Sequence, residues 1–219
     1  MVLTAVGSIQ ELIEFDQQAK AGNGFRFLFG VDEAGRGPLA GPVVAGAVLL
    51  KATDFSVRIG DSKKLSAAQR AKAFLQIHER AYVGVGIVSE AVIDEINILR
   101  ASHLAMADAV RDLVKNLPDQ VRSQEGFVAA VKLLIDGNLF TETVPYKVQT
   151  VVAGDAKSLS IACASIIAKV TRDRIIDAYD AEYPQYGFRQ HKGYPTAAHR
   201  AAIREHGLSP IHRKTFRSA

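Results

Sequence analysis

Short runs of apolar and β-branched residues recur along the chain, and several of them end at glycine or another turn-forming residue, as buried strands do. Two hairpin-like links between the first three runs favour antiparallel pairing of the strands that they form. The last two runs each end at an acidic residue next to a glycine. The sequence therefore predicts five strands: Phe25–Val31, Val43–Leu50, Tyr82–Val88, Val131–Ile135 and Val148–Ala153.

Helical periodicity occupies much of the sequence around these strands. Ala91–Leu117 repeats apolar residues at a period close to 3.6 until Pro118 ends the pattern. The polar stretch Pro118–Gly126 is predicted to be a surface loop. Three strands followed by alternating helices and strands indicate an α/β protein, a mixed sheet with helices packed on its faces. Further helices are predicted at Ser8–Ala19, Ser160–Tyr183 and Thr196–His206.

Composition and charge narrow the class of protein without identifying it. The chain has 219 residues, a net charge of +4 and one cysteine, Cys163. This length supports one core, mild basicity fits a partner that carries phosphates, and a lone cysteine excludes an internal disulfide. The N-terminus lacks the basic-then-apolar layout of a signal peptide, and no apolar run reaches the ~20 residues that span a bilayer. We therefore expect a cytoplasmic protein that does not enter a membrane.

Four acidic residues stand where the predicted core strands end. Asp32 and Glu33 follow the first strand, Asp136 follows the fourth and Asp155 follows the fifth. Because burying an unpaired carboxylate is costly, acids at the ends of three apolar strands are unusual. Like charges brought together raise one another's pKa unless a cation neutralises them, so the set indicates a metal site. Each acid alone has a plainer explanation, since Asp136 precedes glycine in a common turn pair and Glu33 could be a solvated edge residue.

The ligand chemistry of this acidic set narrows the choice of metal. The set offers only oxygen, with no cysteine or paired histidine, which favours Mg²⁺ or Mn²⁺ over zinc. Two such ions held about 3.5–4 Å apart by shared carboxylates can activate a water and stabilise the leaving oxygen of a phosphodiester. The residues therefore predict a hydrolytic centre with two divalent ions, Mn²⁺ or Mg²⁺.

Five segments carry motifs in a fixed order: GVDEAGRGPLAGPVVAGAV (Gly30–Val48), DSKKLS (Asp61–Ser66), IDGN (Ile135–Asn138), GDAKSLSIACASIIAKVTRD (Gly154–Asp173) and HKGYPT (His191–Thr196). Together they resemble the motifs of bacterial ribonuclease HII, a type 2 ribonuclease H. The match extends from about Phe27 to the C-terminus. Any one motif would be weak, whereas five in the same order are not expected by chance.

The resemblance implies a ribonuclease H-like fold, with a mixed five-stranded sheet flanked by helices and a C-terminal helical segment. It implies an endoribonuclease that hydrolyses the RNA strand of RNA–DNA hybrids and nicks duplex DNA 5′ of single embedded ribonucleotides, leaving 3′-hydroxyl and 5′-phosphate ends. Hybrid duplexes and ribonucleotide-containing DNA would be its partners, and we expect a monomer. We assign residues 25–183 to the catalytic domain, residues 1–24 to an N-terminal extension with a helix, and residues 184–219 to a basic, substrate-covering segment of the same domain.

The resemblance also implies roles for individual residues. The four acids match the family's metal-binding catalytic quartet. Gly35, Arg36 and Gly37 match a loop whose backbone contacts the 2′-hydroxyl, the group that separates RNA from DNA. Glycine lets main-chain groups approach so small a target closely. Tyr194 matches a tyrosine that stacks on the sugar following the ribonucleotide. The same loop argues against ribonuclease HIII, the sister type.

Several basic and hydroxyl residues are candidates for a phosphate path. We favour Lys63 and Lys64 because their motif adjoins a loop, although a surface lysine is often only solvated. Ser158 and Ser165 could bind phosphate, but helix capping and packing explain them equally well. The remaining candidates are Lys157, Lys169 and Arg172, of which the last two would otherwise occupy an exposed helix face.

Other polar residues are interpreted more plainly. We expect Asp173 to be solvated or ion-paired rather than a metal ligand, because it lies within a helix beside arginines. His103 lies on the apolar stripe of its helix and Cys163 lies among small apolar residues, so both are expected to be buried and structural. The basic run from His191 to Arg217 is predicted to cover the duplex, although such runs often only solubilise a protein.

Two functions of other classes compete with the hydrolase. A non-catalytic binder of hybrid duplexes would be expected to lose at least one of the four acids, and none is missing. Dinucleotide binding through GVDEAGRGPLAG would require the G-x-G-x-x-G spacing, which this segment lacks. Asp32 and Glu33 would also repel a pyrophosphate there.

Overall fold

The computed structural model describes residues 8–22 and 24–216. Parts of the predicted N-terminal extension and C-terminal segment, residues 1–7, residue 23 and residues 217–219, lie outside these ranges. The sheet has five strands: β1 Phe27–Ala34, β2 Val43–Leu50, β3 Ala81–Val88, β4 Val131–Asp136 and β5 Lys147–Val151. Their order is β3-β2-β1-β4-β5, with β1, β2 and β3 antiparallel and β4 and β5 parallel to β1. The predicted mixed sheet is confirmed.

Two strand ends differ from the prediction at the acidic residues. β1 continues through Asp32 and Glu33, whose partners in β2 are Gly46 and Ala45. β5 ends at Val151, and Asp155 lies further on in a 3₁₀ turn, Gly154–Ala156. The acids therefore occupy the last part of one strand, the end of a second and a turn, rather than three strand exits.

The helices are more numerous than the sequence pattern predicts. The predicted helix over residues 91–117 is two helices, because Asn97 adopts a φ of 67° and its side chain accepts hydrogen bonds from Leu99 and Arg100 at the start of the second. The link between β2 and β3 holds a helix rather than a hairpin, and the predicted loop after Pro118 contains a short one. The helices are α1 Ile9–Lys20, α2 Ala67–Arg80, α3 Glu90–Ile96, α4 Ile98–Asn116, α5 Asp119–Arg122, α6 Leu159–Glu182, α7 Phe188–His191 and α8 Ala197–His206.

The helices α4 and α6 pack on opposite faces of the sheet, and glycines in the strands allow the close approach. A Cβ atom at Gly86 would lie 2.0 Å from the carbonyl oxygen of Ala105 in α4. A Cβ atom at Gly30 would lie 2.1 Å from the backbone of Ser160 in α6. The packing holds the first half of α6 directly against β1, which sets Ser165 and the residues after it beside the acidic end of that strand.

The C-terminal residues fold back onto the loop between β1 and β2. A small apolar cluster joins Ala40 of this loop to Ile176 of α6 and to Tyr186, Phe188 and Ile211. An isolated bridge also pairs Ala40 with His212. The C-terminal segment therefore forms one wall of the region around the loop.

Among the described residues, no helix is long and apolar enough to cross a bilayer.

Candidate active site

Asp32 lies at the buried centre of the acidic region. Its residue is 5% exposed, and its Oδ1 accepts a hydrogen bond of 2.7 Å from the main-chain amide of Glu33. Burial raises the pKa of Asp32 well above its ordinary value, and the charges of Glu33 and Asp136 raise it further. A carboxylate held in this way gains stability from any cation that reaches it.

Glu33 is the second acid of the same strand and is incompletely satisfied. Its Oε2 is buried and has no hydrogen-bond partner in the part of the chain that the structure describes. Its other oxygen pairs with Nη1 of Arg36 at 3.4 Å. Burial raises the pKa of Glu33; Arg36 opposes that rise and Asp136 adds to it. A buried carboxylate oxygen without a donor is an available ligand.

Asp136 and Asp155 reach the same end of the sheet from neighbouring segments. Parallel pairing of β4 with β1 sets Ile135 opposite Val31, so Asp136 lies next to the end of β1. The amide of Gly154 donates to Oδ1 of Asp136 at 2.6 Å, which ties the 3₁₀ turn to β4. Burial, then the charges of Asp61 and Asp136, raise the pKa of Asp155.

The four acids fit divalent cations in their chemistry, but they are not a preformed cage. All offer oxygen ligands, and the buried Oε2 of Glu33 has no hydrogen-bond partner among the described residues. Within residues 8–22 and 24–216, however, no three acidic, histidine or cysteine side chains converge into a group that would hold an ion as placed. Asp32 and Asp136 instead accept hydrogen bonds from main-chain amides. Each of these hydrogen bonds uses one lone pair of one oxygen, so both carboxylates keep acceptor capacity for an ion.

A cavity of about 200 Å³ connects the acids to the loop that the sequence singles out. Asp32 and Glu33 line one side, and Gly35, Arg36 and Gly37 line another. Tyr194 closes it from the C-terminal wall, where a Cβ atom at Gly37 would lie 3.6 Å from the tyrosine ring. An adjoining cavity of about 230 Å³ extends along Glu33, Arg36 and Asp136. The structure thus brings Asp32 and Glu33 together with the loop and Tyr194, while Asp136 lines only the adjoining cavity and Asp155 lines neither of the two.

The two favoured lysines have different surroundings. Lys63 lines the cavity. Burial lowers its pKa, but the charges of four acids (Asp155, Asp32, Asp61 and Asp136) outweigh this effect and raise it. The Lys64 side chain is 59% exposed and lies 3.7 Å from Asp61. Lys63 therefore remains a candidate for substrate contact, and Lys64 is a surface residue. Asp61 was not among the predicted acids, although it begins the DSKKLS motif.

The two candidate serines also separate. Ser165 lines the cavity and its hydroxyl lies 2.9 Å from that of Ser62. Ser158 is fully buried; its hydroxyl accepts from the amide of Ile161 at 3.2 Å and donates to Asp16 at 2.5 Å. Helix capping is confirmed for Ser158, and its burial does not favour substrate binding, which stays an untested prediction.

The basic candidates on and before α6 are occupied by partners of their own. Lys169 lines the cavity and pairs with Asp173 at 2.7 Å, so the expected ion pairing of Asp173 is confirmed. Lys157 donates to the carbonyl of Val152 at 2.7 Å. Arg172 is 1% exposed, so the alternative that placed it on an exposed helix face is wrong.

Part of the basic C-terminal run lies inside the protein. His199, His212 and Arg213 are all 2% exposed or less. Within this run, therefore, part of the positive charge is structural and does not face a duplex. The sequence carries no signal that separates these buried residues from exposed neighbours in the same run. Elsewhere, His103 is 4% exposed and bonds Thr141 at 2.8 Å, and Cys163 is fully buried, as expected.

Comparison with known proteins agrees with the geometry of this region. A family model described as ribonuclease HII matches residues 29–219. A ribonuclease HII of Magnetococcus marinus is 50% identical over 198 residues, which cover 90% of this chain and 88% of the relative.

Solved structures show the same fold. The ribonuclease H2 of Pyrococcus horikoshii is 26% identical, with a TM-score of 0.61 over 88% of this chain and 95% of that one. Bst-RNase HIII in complex with Mn²⁺ is 18% identical, with a TM-score of 0.65 over 93% of this chain and 71% of that one, and it informs on fold alone. The predicted ribonuclease H-like fold is confirmed.

Proposed function

Because the chain belongs to the ribonuclease HII family, whose members are endonucleases that hydrolyse RNA in RNA–DNA hybrids, we propose that it also nicks DNA beside single ribonucleotides. The nick lies 5′ of the embedded ribonucleotide and leaves 3′-hydroxyl and 5′-phosphate ends. One observation carries this proposal: a single cavity is lined by the acids Asp32 and Glu33, by Gly35–Gly37 and by Tyr194. A reacting phosphate and the adjoining sugar can therefore be contacted from one place.

Divalent metal supplies the chemistry that the side chains lack. Enzymes of this family depend on divalent metal ions, and Bst-RNase HIII is known in complex with Mn²⁺. We propose that Asp32, Glu33, Asp136 and Asp155 hold two ions, Mn²⁺ or Mg²⁺. When bound, the ions offset the negative charge that builds on the phosphodiester during hydrolysis. The protein's own part is to gather the carboxylates at the end of the sheet and to keep them largely shielded from water.

The loop and the tyrosine supply recognition of the ribonucleotide. Gly35, Arg36 and Gly37 lie beside Glu33 in the chain, so a ribose whose phosphate is at the acids lies within reach of the loop. Tyr194 is 42% exposed and lines the cavity, so its ring is available to the next sugar. Lys63 and Ser165 lie on the other side of the cavity, where they can contact phosphate.

The remaining proposals concern the whole chain. The C-terminal segment packs on the loop through Ala40, so we infer that residues 184–219 act with residues 25–183 as one catalytic domain. We propose a monomer, because the large exposed apolar side chains Leu75, Ile87 and Val152 belong to α2, to β3 and to the residue after β5, and β3 and β5 are opposite edges of the sheet. A cytoplasmic location agrees with a single cysteine, buried and unpaired.

The test is cleavage of an end-labelled DNA duplex that contains one ribonucleotide, with Mg²⁺, with Mn²⁺ and with a chelator. We expect a metal-dependent nick on the 5′ side of the ribonucleotide, with ends that a ligase or a phosphatase assay identifies. Cleavage of long hybrids alone would leave the hydrolase intact and refute ribonucleotide recognition. Binding without cleavage of either substrate would favour a non-catalytic binder of hybrid duplexes.

A further inference from the structure

Arg213 is a buried arginine whose partners are main-chain carbonyls of the loop between β1 and β2. Its residue is 2% exposed. Nη1 donates to the carbonyl of Arg36 at 3.0 Å, and Nη2 donates to the carbonyl of Gly35 at 2.6 Å. Nε and Nη2 both donate to the carbonyl of Gly41, at 2.9 and 2.7 Å. The guanidinium therefore holds both ends of this loop at once.

A second buried arginine holds the rest of the loop. Arg172 donates to the carbonyls of Ala40, Pro42 and Lys192, each at 3.0 Å. A Cβ atom at Gly35 would lie 2.2 Å from its Nε, so the loop backbone packs directly on this side chain. Burying two like charges together is unfavourable: burial, then the charge of Arg172, lower the pKa of Arg213 to about 9. This cost is offset by fixing five carbonyls of one loop.

Fixing the carbonyls also fixes the amides on the other side of the loop. The structure has no cis peptide among the described residues, and in a trans peptide the N–H points opposite to the carbonyl. With the carbonyls of Gly35 and Arg36 turned to Arg213, the amides of Arg36 and Gly37 point away from it. Neither amide donates to another group in the described part of the chain. Both residues line the cavity, which Arg213 does not.

We propose that Arg213 is a positioning residue for ribonucleotide recognition: it aims the amides of Arg36 and Gly37 into the cavity, where they donate to the 2′-oxygen of the ribose. Two adjacent donors in fixed directions match one small acceptor, and a deoxyribose leaves them without a partner. The proposal rests on the proposed function, since it explains how the loop reads a group that the function requires it to read. Arg213 itself does not touch the substrate.

The test compares a substrate with a competitor that lacks only the 2′-hydroxyl. KM is measured for a DNA duplex with one ribonucleotide, and the inhibition constant Ki is measured for the same duplex without it. In the wild type we expect Ki to exceed KM clearly. In Arg213→Lys, which keeps the charge but loses the fork of donors, the ratio of Ki to KM should fall about tenfold while Ki stays close to wild type.

A matched control separates positioning from general loss of stability. Arg80→Lys removes another guanidinium that holds a backbone carbonyl, that of Asp54 at 3.0 Å, remote from the cavity, and it should leave the ratio unchanged. If Arg213→Lys does not fold, Arg213→Gln, which keeps an amide donor without the buried charge, replaces it. A folded Arg213 variant with the wild-type ratio would overturn the proposal. A wild-type ratio near one would instead refute ribonucleotide recognition by the enzyme, whatever Arg213 does.

Discussion

Two sets of buried charged side chains adjoin the loop between β1 and β2, and they differ in how far their hydrogen-bonding groups have partners within the protein. On the acidic side, one buried oxygen of Glu33 has no hydrogen-bond partner among the described residues, and burial and neighbouring charges raise the pKa of Asp32. On the basic side, every side-chain nitrogen of Arg172 and of Arg213 donates to a backbone carbonyl. The acids therefore keep acceptor capacity, whereas the arginines already donate to the backbone.

This difference separates function from architecture. A buried charge without a partner lowers the stability of the fold. Such charges are typical of functional sites, where a bound ligand supplies the partner. Charge that is buried with complete hydrogen bonding holds a shape. Neutralising an acid should therefore lower activity without lowering stability, whereas removing an arginine should lower stability and alter recognition only through the shape of the loop.

The largest effect is expected at Asp32. Asp32→Asn should lower kcat on a hybrid substrate by about a thousandfold or more, because it removes a charge required around the reacting phosphate. Its free energy of unfolding should not fall, since neutralisation relieves burial of charge and repulsion from Glu33 and Asp136. Cleavage rates and urea unfolding check both halves. An Asp32→Asn variant with wild-type activity, or one that is stable only with metal, would contradict the assignment of the acids to function rather than to stability.

On the basic side, Arg172→Ala should destabilise the fold by about 3–5 kcal/mol, because it leaves the carbonyls of Ala40, Pro42 and Lys192 unsatisfied in a buried place. Urea unfolding monitored by circular dichroism measures the change. As a control, Arg111→Ala removes an exposed arginine that pairs with Asp108 and should cost less than about 1 kcal/mol. Equal stability of the two variants would show that Arg172 does not hold the loop.

A smaller effect is expected from pH, through two histidines of the C-terminal wall. The amide of Ser209 donates to Nδ1 of His212 at 2.9 Å, so this ring is neutral and its Nε2 donates to His199 at 3.0 Å. His199 in turn donates to the carbonyl of Tyr194 at 3.0 Å. Burial, then the charge of His199, lower the pKa of His212 from 6.5 to about 4.

Because the pKa of His212 in the fold lies below that of the unfolded chain, the unfolded chain takes up protons first as pH falls. The contribution of the neutral His212 to the free energy of unfolding is complete above about pH 6.5, and it is lost as the pH falls from there to about 4. Between pH 7 and pH 4.5 we expect a loss on the order of 2 kcal/mol in the free energy of unfolding. His212→Asn should flatten this dependence, and the exposed-site control His206→Asn should not. An identical pH profile for His212→Asn and the wild type would contradict the neutral pair.

The smallest effect separates the two neighbouring lysines. Lys63→Ala should lower kcat/KM about tenfold, because Lys63 lines the cavity among the acids. Lys64→Ala should change it less than about twofold, since its side chain is 59% exposed beside Asp61. Steady-state kinetics at two salt concentrations measure both. Equal losses of kcat/KM in the two variants would contradict a specific contact between Lys63 and the substrate.

What the sequence predicts well is whatever depends on local pattern. The strand Val43–Leu50 has the predicted bounds, and the four acids reach one end of the sheet. The break at Asn97 was missed because apolar periodicity continues across it, although asparagine tolerates a positive φ and caps helices. Motif order located the loop and Tyr194 without their geometry.

What the sequence could not predict depends on contacts between distant segments. Arg213 lies among exposed-looking basic residues, and its burial follows from the fold of a loop 172 or more positions earlier in the chain. Ser158 looked equally suited to capping or to phosphate, and the choice came from Asp16 of α1, 142 positions away. Contacts between such distant residues do not change the pattern of apolar and polar positions in either segment, so the sequence pattern does not predict them.

The central claim is that Asp32, Glu33, Asp136 and Asp155 together form the metal site, and thermal unfolding titrated with Mn²⁺ tests it most directly. Binding to the folded state alone raises Tm in proportion to ln(1 + [Mn²⁺]/Kd). We predict that Tm rises for the wild type and for Asp173→Asn, whose carboxylate pairs with Lys169, and stays flat for Asp32→Asn, Glu33→Gln, Asp136→Asn and Asp155→Asn. A full rise in any of the four, or its loss in Asp173→Asn, would contradict the assignment.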